Sequence, residues 1–146
     1  MSDKIIKGWG HELIIESNET YCMKQLCFFA KGHKSSFHFH KNKTETWLIQ
    51  KGSVSVEMMD MKDATTRTII LKEGDTLHIP PMTPHQVTNL IPETVILEAS
   101  SKDTPEDNYR IAPGDSQKLG KRPTQFVQED IKPGDYTRGE KRDIMV

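Results

Sequence analysis

From residue 11 to residue 100, apolar and polar positions alternate with a period of two and never settle into a 3.6-residue stripe. The clearest case is 53–59, where Val54, Val56 and Met58 alternate with Ser53, Ser55 and Glu57, as in a strand with one buried face. The same reading predicts strands over 11–16, 20–30, 46–50, 53–59, 67–71, 76–79, 85–90 and 94–100. Lys31-Gly32, Lys51-Gly52 and Lys72-Glu73-Gly74-Asp75 supply turns between them, and Pro80, Pro81 and Pro84 exclude a regular strand across 80–84. About eight short strands with closely spaced turn signals predict an all-β sandwich or barrel.

After Ser100 the pattern changes. Residues 101–125 are polar and carry Pro105, Pro113 and Pro123. We expect a β-barrel domain over 1–110 and an irregular C-terminal extension over 111–146. In the extension, Phe126, Val127 and Ile131 are expected to pack back onto the barrel, with the charged segment 135–146 loosely held.

Composition narrows the picture. A chain of 146 residues makes one domain with a real core. Its 20 Lys and Arg against 21 Asp and Glu leave no basic excess, which argues against a nucleic-acid partner. No apolar run approaches the roughly eighteen residues of a membrane span, and the N-terminal residues lack the apolar segment of a signal peptide. The expected location is the cytoplasm. Cys22 and Cys27, five positions apart on one predicted strand, face opposite sides about 16 Å apart. They cannot bridge, which suits a reducing compartment.

The candidate chemistry lies in two stretches. Gly32 to Gly52 contains His38, His40 and Glu45. Histidines two apart on a strand share a face, so His38 and His40 can reach one ion, while Phe37 and Phe39 take the opposite face. Glu45 follows the polar turn 41–44, and a short antiparallel return brings its carboxylate to the same place. The second stretch, Gly74 to Asn89, adds His85 after the proline-rich turn. Three imidazoles and one carboxylate suit a single divalent metal ion (Zn, Mn, Fe, Ni or Co) and leave positions open for water or substrate. His11 and His33 are expected to be solvated or structural, and His78 falls on the face opposite Leu77 and Ile79.

These stretches resemble the cupin superfamily. Its first motif reads G-x5-H-x-H-x(3,4)-E-x6-G, matched by Gly32, His38, His40, Glu45 and Gly52. Its second, G-x5-P-x-G-x2-H-x3-N, is matched by Gly74, Pro80, His85 and Asn89, with Met82 where the middle glycine would stand. The resemblance implies a double-stranded β-helix, or jelly-roll barrel, with the metal inside. A narrower resemblance is to the cupin domain of mannose-6-phosphate isomerases and mannose-1-phosphate guanylyltransferases. It rests on Lys7-Gly8-Trp9-Gly10 with Glu12, Tyr21 to Lys24, Gly32 to Trp47, Ile79 to His85, Glu98, and Glu106 to Arg110. Those enzymes tend to carry Gln at the His38 position and to end soon after the Arg110 segment.

The narrower resemblance implies a metal-dependent aldose–ketose isomerase or epimerase acting on a sugar or sugar phosphate. Glu98 is then the candidate base, with His78 behind it. Lys43 and Arg110 are candidate anchors for an acidic group, and Trp47, on the face of Glu45, is a candidate pocket wall as well as a core residue. Two other readings stay open: an Fe(II) dioxygenase using the same ligand set, and a non-catalytic sugar- or small-molecule-binding module. Tyr21, Phe28, Phe29, Phe37 and Phe39 are expected in the core or at a homodimer contact, with the arm 1–16 adding a strand to the partner's sheet.

Overall fold

The computed structural model describes residues 3–118. Its strands are β1 (Asp3–Lys7), β2 (Gly10–Ser17), β3 (Tyr21–Phe28), β4 (Phe37–Phe39), β5 (Glu45–Lys51), β6 (Ser53–Met59), β7 (Thr66–Lys72), β8 (Thr76–Ile79), β9 (His85–Asn89), β10 (Thr94–Ser101) and β11 (Tyr109–Ala112). A 3-10 turn at Pro105–Asp107 and a short helix, α1, at Asp115–Lys118 complete the described chain. The eight strands expected from period two are all present, most within a residue or two. The list of period-two strands leaves out β1, β4 and β11, of which β4 is the strand that the His38 and His40 spacing assumes. They are short, and their residues pair with strands distant in sequence or, in β1, with a neighbour across a two-residue turn. Among the described residues no helix is long and apolar enough to cross a membrane.

Every pairing is antiparallel. One sheet has the order β1-β2-β3-β10-β5-β8 and the other β11-β4-β9-β6-β7. Their inner faces meet in a core that includes Leu26, Phe28, Ile49, Val54, Val56, Ile79, Val87 and Ile96. The fold is all-β, a jelly-roll barrel of two facing sheets. Within its own chain the N-terminal arm forms a tight hairpin: β1 lies against β2, with Ile6 opposite His11, and β1 is the edge strand of its sheet. Two consecutive extended segments joined by Gly8-Trp9 close such a hairpin at little entropic cost.

Register explains why the barrel has a polar end. Along β3 the inward positions are Cys22, Lys24, Leu26 and Phe28. On β10, Ile96 pairs with Leu26 and Ile49, whereas Glu98 pairs with Lys24 and Trp47, and Ser100 with Cys22 and Glu45. The inner face therefore changes from aliphatic to ionisable along the strands. The aliphatic end forms the floor, and the ionisable end is where chemistry is placed.

Of the aromatic residues expected in the core or at a homodimer contact, Phe28 is buried and stacks on Trp9, with ring centroids 4.4 Å apart. Tyr21 and Phe29 are exposed, because Tyr21 takes the outer parity of β3 and Phe29 lies beyond the strand's end. Phe37 and Phe39 are half-buried, with Phe39 stacked on Tyr109. Cys22 is buried and Cys27 half-buried, both as free thiols.

The boundary drawn after Arg110 falls inside β11. Beyond it, Gly114 fits tightly against Ser35 and Ser36, the Asp115 carboxylate accepts from the Lys34 N–H, and the Ser116 hydroxyl accepts from the Gly8 N–H. Phe126, Val127, Ile131 and the segment 135–146 lie outside the described residues.

Candidate metal centre

The two motif stretches become neighbours through strand pairing. His38 on β4 lies directly opposite His85 on β9 and, on its other side, Arg110 on β11. Glu45 begins β5 in the facing sheet. One ligand atom from each of His38, His40 and His85 lies within 4.8 Å of the others, a set that can hold one metal ion.

Each imidazole is oriented by a backbone carbonyl. Nδ1 of His38 donates to Ser36 O at 3.0 Å, that of His40 to Asp107 O at 2.6 Å, and that of His85 to Thr83 O at 2.9 Å. A carbonyl only accepts, so each Nδ1 carries the proton and each Nε2 presents a lone pair. This is the arrangement that fixes a metal-ligating tautomer. Burial holds His38 well below the usual imidazole range, with His85 and His40 adding to it, and burial lowers His85 as well. Both are neutral and ready to ligate.

Glu45 completes the set. Its Oε1 accepts from the Trp47 indole N–H at 2.9 Å. Its buried Oε2 has no hydrogen-bond partner among the described residues and lies 3.3 Å from His40 Nε2 and 3.6 Å from His85 Nε2. Burial alone would raise this carboxyl, yet the Lys43 ammonium above all holds it well below the usual carboxylate range. An orphaned, ionised oxygen facing imidazole lone pairs is what a divalent cation satisfies, so the residues fit a metal.

A second cluster adjoins this one. Lys43 Nζ is 3.0 Å from Glu98 Oε2 and 3.1 Å from Asp103 Oδ1. Lys24 Nζ lies 3.4 Å from both Glu12 Oε1 and Asp103 Oδ2. Burial and then Glu45 raise the Glu98 carboxyl above its ordinary value, against the pull of Lys43 and Lys24. Both clusters line one cavity of about 320 Å³, together with Trp47 and Arg110. Glu98, Lys43, Arg110 and Trp47 are thus brought to the cavity that holds the three histidines. His78 is not. It is exposed on β8, with Nε2 2.9 Å from Thr44 Oγ1, because Leu77 and Ile79 turn the opposite face of that strand inward. The expected role of His78 behind Glu98 is therefore corrected.

Three contributors were not identified from the sequence. The Asp107 carboxylate accepts from the backbone N–H groups of Lys41, Asn42 and Lys43 while its carbonyl holds His40. It clamps the turn that separates two ligands from the third. Asp103 and Glu12 neutralise the buried lysines. Glu12 and Asp107 lie in segments that carry the narrower resemblance, but their partners are distant in sequence, so their roles are not local.

Two side chains lend themselves to direct tests. Met82, at the position of the motif glycine, adopts φ +63° and its N–H donates to His40 O at 2.7 Å. The turn keeps the left-handed conformation without the glycine, at a cost of about 1–2 kcal/mol. Gly's greater unfolded-state freedom offsets part of that. Met82→Gly is therefore expected to stabilise the fold by roughly 0.5–1 kcal/mol in denaturant titrations. A lower midpoint would show that the thioether is packed favourably.

For Glu12, burial would raise the carboxyl, but Lys24, Lys7 and Lys43 hold it below its ordinary value of 4.5. A folded pKa below the unfolded one means stability fully present above pH 4.5 and lost as pH falls through the folded value. Glu12→Gln should flatten the acid branch of a melting-temperature profile below that pH. An acid branch as steep as the parent's would place the titration elsewhere.

A family model described as Cupin domain matches residues 25–97, half of the chain. No curated protein matches the sequence. The fold is similar to that of the capsular polysaccharide assembling protein CapF from Staphylococcus aureus, with a TM-score of 0.68 and 15% identity over 75% of this chain and 34% of CapF. It is also similar to KdgF from Halomonas sp., with a TM-score of 0.54 and 19% identity over 64% of this chain and 79% of that one. An oxalate decarboxylase from Bacillus subtilis gives a TM-score of 0.65 and 18% identity over 73% of this chain and 29% of that one. The chain thus spans about a third of the length of CapF and of the decarboxylase. At these identities the likeness is one of fold.

Proposed function

Because the chain belongs to the cupin domain family, we propose that it is a metal-dependent isomerase or epimerase acting on a sugar or sugar derivative, of the kind the mannose-6-phosphate isomerase resemblance implies. The observation that carries this reading is the position of Glu98. Its carboxylate is buried in the wall of the cavity that the three histidines line, paired in register with Lys24 and Trp47.

His38, His40, His85 and Glu45 would hold one divalent ion, which when bound supplies Lewis acidity at substrate oxygens. Glu98 then serves as the base that moves a proton between adjacent carbons. Its raised pKa suits that work, since a base accepts a proton more readily as its conjugate acid weakens. Lys43, 3.0 Å away, fixes the carboxylate's position and balances its charge. Trp47 closes one wall, and its indole holds Glu45. A cavity of about 320 Å³ lies at the small end of ligand sites and suits a single polar molecule of sugar size.

A homodimer is part of the proposal. Ile6, Ile15, Tyr21 and Phe29 leave apolar surface exposed on and beside the first three strands, and sedimentation would read the assembly state directly.

Proton abstraction next to a carbonyl is tested in heavy water. The metal-loaded protein is incubated with mannose-6-phosphate, free hexoses and hexonic acids, and solvent deuterium at carbon is followed by NMR. Incorporation into one of them supports the reading. Retention of every carbon-bound proton would sink it.

A further inference from the structure

We infer that Lys24 and Lys43 form a carboxylate-binding subsite in the lining of the cavity, that Asp103 occupies it in the ligand-free chain, and that the substrate carries a carboxylate which displaces Asp103. This rests on the cavity being the ligand site, as proposed above, and it specifies the acidic group of the ligand.

The two lysines are an unusual investment. Both are almost fully buried, at 6% and 4% exposure, and a buried ammonium is retained only where counter-charges compensate its lost hydration. Each already has one partner fixed on a strand: Glu12 of β2 for Lys24 and Glu98 of β10 for Lys43. Asp103 differs from both. It lies in the irregular segment between β10 and the 3-10 turn, and its side chain is 31% exposed. It spans the pair with one oxygen on each ammonium, Oδ1 to Lys43 at 3.1 Å and Oδ2 to Lys24 at 3.4 Å.

That geometry shows what the pair accepts. The lysines are spaced for the two oxygens of one planar carboxylate, and they face the cavity that Glu98 and the histidines line. An incoming carboxylate replaces Asp103 charge for charge, so the exchange buries no additional net charge. The displaced side chain needs only to turn toward solvent, which it already touches. The ligand's carboxylate would then stand beside Lys43, with its neighbouring carbons directed toward Glu98. A small polyhydroxylated acid meets both requirements. While Asp103 holds the subsite, the apparent affinity is reduced by the fraction of time the subsite is open.

Calorimetric titration tests this with gluconate, inorganic phosphate and neutral glucitol as probes. The proteins compared are the parent, Asp103→Asn, Asp103→Ser and the double variant Asp103→Asn/Lys24→Gln, each checked for folding by its melting transition. With the subsite closed about nine-tenths of the time, removing the internal competitor strengthens gluconate binding about tenfold. The gain should appear in both single variants, disappear in the double variant, and be absent for glucitol. Unchanged gluconate affinity in the folded single variants, or a gain that survives loss of Lys24, overturns the subsite. An equal gain for phosphate overturns the carboxylate assignment. Binding is read without turnover, so a protein that fails to isomerise any sugar leaves the outcome just as clear.

Discussion

His40→Ala is expected to strip the centre of metal and to remove the melting-temperature difference between metal-loaded and chelator-treated protein. His40 does two things at once. Its Nε2 faces Glu45 Oε2 at 3.3 Å, and its Nδ1–H is held at 2.6 Å by the carbonyl of Asp107. The same Asp107 ties down the turn leading to Glu45 through the N–H groups of Lys41, Asn42 and Lys43. Alanine removes a ligand and disconnects the clamp from the site.

Loss of partners one step removed from a metal typically costs 10–100-fold in affinity, so loss of the ligand itself should exceed about 100-fold. A ligand present at about a thousand times its dissociation constant stabilises the folded state by about 4 kcal/mol. In a domain of this size that is on the order of 10 °C in melting temperature. Elemental analysis of the purified proteins and calorimetry with and without chelator measure both quantities. His78→Ala, on the outer surface, serves as the control and should change neither. Metal retained in His40→Ala at the parent's level would refute the centre.

Glu98→Gln should lower turnover by about 10²–10⁴-fold, the usual contribution of a positioned proton-transfer group. The exchange keeps the side chain's shape and an oxygen that can accept from Lys43, while Asp103 remains as that ammonium's counter-charge, and the melting transition checks that the variant is folded. The reading therefore lies in the split between kcat and KM and in the loss of deuterium exchange. A purely structural Glu98 would give the opposite result: lower stability and unchanged exchange. Lys43, which contacts both Glu98 and Asp103, is a poorer target, because its removal disturbs the base and the acid-binding subsite together.

The candidate metal set was legible in the sequence for a physical reason. His38 and His40 are two apart on a strand, and a strand of any fold puts such residues on one face. The flanking Gly32, Gly52 and Gly74 mark turns that the structure holds at φ +89°, +91° and +92°. At Gly52 a side chain would also strike Thr94, whose Oγ1 would lie 2.1 Å from an added Cβ. Asn89 of the second motif is explained by the fold: fully buried, it donates to Ala30 O and anchors the turn beside Gly32. His78 lies outside the cavity because it is on the face of β8 opposite Leu77 and Ile79, the side chains that turn inward.

What the sequence determined by itself is the class of fold and the candidate metal donors, because both follow from short-range periodicity and from residues whose chemistry is hard to place elsewhere. The stretch from Gly32 to Gly52 carries three of those candidates, and strand pairing with β9 brings His85 directly opposite His38. What only the tertiary structure decided is the charge network around them. Lys24, Glu12 and Asp107 lie in segments that carry the narrower resemblance and Asp103 in none, and for none of the four does the chain show the partner it is buried against. Register places Lys24 opposite Glu98, and the irregular segment after β10 swings Asp103 between two buried ammonium groups. A charge acquires its role from what is buried next to it, and in a barrel built of antiparallel crossovers those neighbours lie tens of residues away.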